Sequence, residues 1–266
     1  MKIAIIGAGN MGMAFANSFI EHQLLTKKDL HLIEKNQERV NFLSQNGFES
    51  IFPEIEEGIK NTDIIILAVK PQDFQTVGEK ISTTIEPNQI LLSIMAGITI
   101  SKIATITKHE SIIRAMPNTP AILGLGMTAF CCSSTIDQKQ KEAIKKLIET
   151  TGKTIILDDE NLIDGVTAIS GSGPAYFYYF IKAMVEAGEK MGIDKEIGLQ
   201  LATQTMLGAH QLIENSDGNL NNLISMVTSK GGTTIAALEC FETNNVGEGI
   251  QKGMKACHNR AKELSA

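Results

Sequence analysis

The apolar run Lys2-Ile3-Ala4-Ile5-Ile6 passes without interruption into Gly7-Ala8-Gly9-Asn10-Met11-Gly12, and this junction constrains the chain more than any other stretch. A strand that ends in glycines and restarts as a helix must turn tightly beside a neighbouring backbone. In such a Gly-x-Gly-x-x-Gly sequence the first glycine permits the turn. The second lets backbone N–H groups approach a pyrophosphate, and the third allows close helix–strand packing. The helix that follows offers unpaired N–H donors and a positive dipole end to phosphates. A second apolar segment, Leu30 to Ile33, is closed by Glu34, at the roughly 20-residue spacing where a carboxylate meets a ribose 2′-OH. The pattern predicts a dinucleotide-binding βαβ unit and a nicotinamide cofactor.

The chain has 266 residues, 43% of them hydrophobic, enough for one large core or two modest ones. No apolar run approaches the roughly 20 residues that span a bilayer. The sequence opens on a folding strand, with no charged-then-apolar leader. Cys131, Cys132, Cys240 and Cys257 show no C-x-x-C spacing and read as reduced thiols of a cytoplasmic protein. A net charge of −6 without a basic run argues against nucleic acid. Neither a membrane partner nor a metal site is expected.

Strand and helix patterns alternate through residues 1–158. Strands are predicted over Lys2 to Ile6, Leu30 to Ile33, Asp63 to Val69, Gln89 to Ile94, Ser111 to Met116, Met127 to Cys131 and Lys153 to Leu157. Amphipathic helices are predicted over Met11 to His22, Gln37 to Gln45, Asp73 to Ile81 and Gln138 to Thr150. The alternation predicts an α/β N-terminal domain with a doubly wound, Rossmann-type parallel sheet. From 159 to 266 only helical periodicity remains, over Glu160 to Ala168, Gly173 to Met191, Lys195 to Ile213, Gly218 to Val227, Thr233 to Glu242 and Gly247 to Ser265. This all-α C-terminal domain is rich in small and apolar residues and is expected to bury its faces against a second copy.

Ligands of open α/β sheets sit beyond the carboxyl ends of the strands. Three loops are expected there: Ala68-Val69-Lys70-Pro71, Met95-Ala96-Gly97, and Met116-Pro117-Asn118-Thr119-Pro120. Asn118 brings a donor and an acceptor. Lys70 reads either as a base or phosphate clamp, or as a solvated lysine bonded to nearby carbonyls. Glu34 hydrogen-bonds a ribose diol and repels a 2′-phosphate, or else caps a strand end. Lys35, Asn36 and Arg39 follow it and can soften that repulsion, so the choice between NADH and NADPH leans only slightly to NADH.

Two motifs stand in the helical region. Ser170-Gly171-Ser172-Gly173-Pro174-Ala175-Tyr176 places Ser172 as a helix N-cap ahead of Pro174. Thr228-Ser229-Lys230-Gly231-Gly232-Thr233-Thr234 opens a helix with two glycines, and its successive N–H groups form a nest for an anion such as a substrate carboxylate.

With the Gly-rich turn, Ala68 to Pro71, Arg114 to Pro120, Ser170 to Tyr176 and Ser229-x-Gly231-Gly232-Thr233-Thr234 in this order, the chain resembles pyrroline-5-carboxylate reductase over essentially its whole length. The resemblance implies the last step of proline biosynthesis. It implies an NADPH or NADH site lined by Ile6, Gly7, Ala8, Gly9, Asn10 and Met11, by Ala68, Val69, Lys70 and Pro71, and by Ile94, Met95 and Ala96. Asp217, Thr233 and Thr234 fall at substrate-contacting positions, with Ser229 nearby. It also implies a homodimer paired through C-terminal helices, in some members stacked to a decamer. The chain departs from the family at Lys230, where proline is usual, at Met226, where some members carry asparagine, and at Glu34, where small polar residues often receive a 2′-phosphate.

None of the five histidines lies in a Gly-rich or strand-end motif. A carbonyl reductase needs a positioned acid for the forming alkoxide, whereas a protonated cyclic imine already carries its electron sink. Orientation, a carboxylate anchor on Gly231, Gly232 and Thr233, and a hydrogen bond from Thr234 to the ring nitrogen then suffice. Three alternatives stand beside this reading. A related cyclic imine or a keto acid is one substrate alternative. A β-hydroxyacid dehydrogenase would need a lysine and an asparagine where Phe177 and Ile181 stand. A non-catalytic nucleotide-binding regulator would be expected to lose the anion nest.

Overall fold

Ile64, Ile65, Ile66 and Leu67 are all buried, as a strand covered on both faces must be. In the computed structural model, which describes residues 1–265, this strand lies at the middle of an eight-stranded sheet. In chain order the elements are β1 (Ile3–Ile6), α1 (Asn10–Glu21), β2 (Leu30–Ile33), α2 (Gln37–Gln45), β3 (Ile51–Phe52), α3 (Ile55–Gly58), β4 (Ile64–Leu67), α4 (Phe74–Ser82), β5 (Ile90–Ser93), α5 (Ile100–Thr107), β6 (Ile112–Met116), β7 (Gly126–Cys132), α6 (Gln138–Glu149), β8 (Gly152–Ile156) and α7 (Ile163–Val166). The helical region adds α8 (Gly173–Lys190), α9 (Lys195–Glu214), α10 (Leu220–Met226), α11 (Thr233–Thr243) and α12 (Val246–Ser265).

The sheet order is β3-β2-β1-β4-β5-β6-β7-β8. Alternate residues of each strand face opposite layers. Ile3, Ile5, Ile64 and Ile66 join Phe15 and Phe19 of α1 and Ile144 and Ile148 of α6 on one side. Ala4, Ile6, Ile65 and Leu67 join Ile55, Phe74, Ile81 and Ile103 on the other. The chain passes from β1 outward to β3, then returns to β4 on the other flank of β1. A crevice therefore opens between the carboxyl ends of β1 and β4.

The doubly wound sheet is as expected, with three differences. β3 is a two-residue strand, too short to show periodicity. α5 has the β-branched sequence Ile-Ser-Lys-Ile-Ala-Thr-Ile-Thr, poor in helix formers, and no helix is predicted there. It forms because the Thr99 side chain accepts from Lys102 N and Ile103 is buried against the sheet. Lastly, β7 runs antiparallel to β6. The connection between them holds only the short turn Thr119–Leu123, with no room for the crossover that a parallel neighbour needs.

Contacts divide the chain into Met1–Ser172 with the residues from Cys257 onward, and Gly173–Ala256. Strands end before 158 as predicted, yet the first unit continues to Ser172. Its extension is held by Arg114 of β6, whose side chain is 2% exposed. Nη1 lies 3.0 Å from Glu160 Oε1 and Nη2 3.0 Å from Asp164 Oδ1. Glu160 Oε1 also accepts Ile100 N at 2.8 Å, so one carboxylate joins α5, β6 and the segment before α7. A further piece of this unit comes from α12, where Leu264 occupies the space beside Gly97.

Residues 160–168 are not the single helix predicted. A 3-10 turn (Glu160–Leu162), α7 and a π turn (Thr167–Gly171) succeed one another. Ser172 is not an N-cap. It has helical angles and its N–H donates to Thr167 O at 2.8 Å, while its Oγ lies 3.3 Å from Cys257 Sγ. Pro174 has no N–H to give the Ser170 carbonyl, and Asn118 Nδ2 donates there instead at 3.3 Å.

In the helical unit, Ile181, Val185 and Ala202 form the one buried apolar cluster among the described residues. Phe177, Tyr178, Tyr179 and Phe180, at successive positions around α8, are all exposed, as are Leu199, Leu201, Leu212 and Ile224.

Arg114→Met should destabilise the first unit by about 3–5 kcal/mol, because two carboxylates lose their buried cation. Adding Glu160→Gln and Asp164→Asn should recover part of that loss. Urea unfolding of the single and triple variants checks both expectations.

Candidate active site

Gly7 has φ +100°, and a Cβ there would stand 2.8 Å from the Ala68 carbonyl oxygen of the strand end across the crevice. Only glycine can take this turn at this distance. Gly9 is the N-cap of α1, without a side-chain cap, and a Cβ on it would meet nothing within 4 Å. The first helical bond runs from Met13 N to Gly9 O, which leaves the N–H groups of Asn10, Met11 and Gly12 with no partner inside the helix. An open cradle of N–H donors at a glycine turn fits a pyrophosphate.

A cavity of about 440 Å³ adjoins this turn, lined by Ile6, Gly7, Glu34, Lys35, Val69 and Asp73 among others. It thus unites the predicted positions at the ends of β1, β2 and β4. Ala68 is half-buried beside it, Lys70 is exposed, and Pro71 begins a short turn ending at Asp73. Glu34 Oε1 accepts both Lys35 N and Asn36 N at 2.9 Å. Asn36 caps α2 by accepting Arg39 N, and Arg39 Nε donates to Ala8 O at 2.8 Å.

Three predicted rim residues are less available than expected. The side chains of Ile94 and Met95 are buried in the two layers of the core, so only their backbone can face a ligand, while Ala96 is half-buried. The Asn118 amide is engaged inside the protein, Oδ1 by Met127 N at 2.9 Å and Nδ2 by Ser170. Gln72, Asp73 and Thr76, which also line the cavity, were missed. Their signal in the sequence was their place just past the Pro71 strand stop.

In the helical unit Gly231 has φ +73°. Gly232 N donates to Ser229 O at 2.8 Å and is the N-cap of α11, again with no side-chain cap. The first helical bond is Ala236 N to Gly232 O. The N–H groups of Thr233, Thr234 and Ile235 therefore point out of the helix start unpaired within it. Thr234 is half-buried on that first turn. Asp217 stands in the turn before α10, where Oδ1 accepts Asn219 N at 3.0 Å.

The protein offers few other reactive groups. Burial pushes the Cys131 thiol up to about 12, which makes it an inert packing residue. His109 donates to Gln89 O and His31 to Gly58 O, both structural roles. No cluster of metal-ligating side chains occurs among the described residues.

Each unit thus holds one uncapped glycine turn at a helix start, at Gly9 and at Gly232. The family described as pyrroline-5-carboxylate reductase dimerisation matches residues 160–264, and that described as NADP oxidoreductase, coenzyme F420-dependent, matches 2–97. The pyrroline-5-carboxylate reductase of Pseudomonas aeruginosa is 33% identical, over 99% of this chain and 97% of its own length. The chain belongs to the pyrroline-5-carboxylate reductase family. The Haemophilus influenzae reductase is 35% identical over 98% of the chain and 97% of its own. A solved structure, Plasmodium falciparum pyrroline carboxylate reductase with NADP bound, superimposes with a TM-score of 0.91 at 27% identity, covering 100% of this chain and 98% of that one. The reductase fold thus extends over both units.

The two glycines of the first cradle should separate under substitution. Gly9→Ala should fold as well as wild type yet bind NAD(P)H about tenfold or more weakly, since its Cβ enters the space where phosphate approaches. Gly7→Ala should be destabilised outright. Thermal unfolding and dinucleotide titration of the two variants distinguish these outcomes.

Proposed function

We propose that the chain carries out its family's reaction, reduction of 1-pyrroline-5-carboxylate to L-proline, with this division of labour among its residues. The observation that carries the reading is the uncapped start of α11 behind Gly231 and Gly232, a second anion cradle distinct from the one at Gly9. The nicotinamide, when bound, supplies the hydride that adds to the imine carbon. The Gly7–Met11 turn and the cavity at Glu34 and Val69 would hold the rest of the dinucleotide. Backbone N–H groups of Thr233, Thr234 and Ile235 anchor the substrate carboxylate, Gly232 N being spent on Ser229 O. The protonated imine brings its own proton, so hydride addition at carbon leaves the secondary amine, and Thr234 Oγ1 donates a hydrogen bond to the ring nitrogen as the lone pair returns to it. Ser229 braces the cradle, since its carbonyl fixes Gly232 N, and Asp217 serves the substrate side of the same unit.

A protonated cyclic imine asks little more of the protein than orientation and exclusion of water. Neither glycine turn contains a histidine, which supports an imine over a keto acid. A non-catalytic regulator would have no use for the second cradle.

The helical unit is proposed to pair with a second copy, as an isologous dimer able to stack further. Four consecutive exposed aromatic residues on α8, Tyr179 at 77% among them, with exposed Leu199 and Leu201 on α9, are the apolar surface such a partner would cover. The described helices include none long and apolar enough to cross a membrane. The four free cysteines suit a cytoplasmic setting.

Thr234→Val should lower kcat with pyrroline-5-carboxylate by about 10²-fold and leave NAD(P)H affinity near wild type. Full turnover by the variant would show that the hydroxyl is dispensable. Light scattering along a dilution series, with activity followed in parallel, should show activity lost together with the dimer. A stable, fully active monomer would remove the pairing from this reading.

A further inference from the structure

The lining of the Gly7 crevice also bears on which dinucleotide it takes, an inference that rests on the function proposed above. We propose that this chain is built for NADH and discriminates against NADPH through two carboxylates, Glu34 and Asp73, that approach the crevice from opposite sides of β1. Glu34 closes β2, and Asp73 ends the turn that follows β4. Both line the same cavity as Gly7.

The Glu34 carboxylate is fixed. Its Oε1 accepts Lys35 N and Asn36 N, each at 2.9 Å, and swinging the side chain out would break both bonds. A carboxylate held at this point accepts hydrogen bonds from the adjacent hydroxyls of a ribose and repels a phosphate esterified there. Asp73 makes no cap hydrogen bond at the start of α4 and lines the same cavity. A 2′-phosphate, which carries between one and two negative charges near neutral pH, would enter between them.

The nearest amide and arginine are partly engaged by the fold. Asn36 Oδ1 accepts Arg39 N. Arg39 Nε donates to Ala8 O at 2.8 Å, and its guanidinium lies 5.1 Å from the centre of the Phe42 ring. Lys35 is the one cation in the cavity lining. It is exposed, and two carboxylates share that lining with it. The cavity lining itself holds two carboxylates, Glu34 and Asp73, against the single ammonium of Lys35, which suits a free diol.

Titration of the full-length protein with NADH and with NADPH, followed by nicotinamide fluorescence without substrate, tests this directly. NADH should bind at least about tenfold more tightly than NADPH. The gap should narrow at high salt, since like-charge repulsion is screened. Glu34→Gln keeps the size and removes the charge, so it should tighten NADPH and weaken NADH modestly, narrowing the gap from both sides. Asp73→Asn should act in the same direction, more weakly. Equal affinities, or a wild-type preference for NADPH, would overturn the inference while leaving the reductase reading intact, and would place Lys35 or Arg39 on the phosphate. A protein that binds neither dinucleotide would overturn both.

Discussion

The close approach of two strand ends, Ile6-Gly7 of β1 and Leu67-Ala68 of β4, governs the first unit. Ala68 N donates to Ile6 O at 2.9 Å, and Gly7 N to Ile33 O at 3.1 Å, so the turn residue is tied to both flanking strands at once. A side chain at position 7 would force those strands apart. Without one, the backbone can turn at once into α1 and aim its first N–H groups over the crevice. The cavity, the placement of Glu34 and Asp73 on either side, and the burial of Phe15 and Phe19 beneath α1 all follow from that contact.

The helical unit obeys a different economy. Its helices are apolar over too much of their circumference to be satisfied within Gly173–Ala256, and three side chains make up its described buried cluster. Gly231 and Gly232 nevertheless hold a well-defined turn, because it depends on local hydrogen bonds from Ser229 and Gly232 rather than on a core. Local geometry for recognition thus survives where global packing waits for another surface.

Strong periodicity was legible in the sequence wherever burial imposes it. β2 and α2 have the predicted bounds, and β4, flanked on both faces, reads as unbroken Ile and Leu. The glycine cradles were legible because no other residue serves at a positive φ next to a backbone. What escaped depends on contacts distant in sequence. α5 has weak helix formers and exists through the Thr99 cap and the sheet beneath it. The Arg114 clamp joins residues 46 and 50 positions apart, which no periodicity reports. Asn118 looked like a ligand group because a loop amide is equally apt for a cofactor and for a carbonyl orphaned by Pro174. Gln72, Asp73 and Thr76 became visible as site residues only once β4 was seen beside β1.

Leu264 lies against Gly97, and Cys257 beside Ser172, so the first unit includes chain made after the whole helical excursion. On a ribosome the sheet emerges early, and domains ordinarily fold as they emerge. This one must wait with an open flank next to the Met95–Gly97 loop until α12 arrives. Nascent sheet and late helix are thereby coupled in time as well as in space, and a chain interrupted within the excursion would expose the same flank.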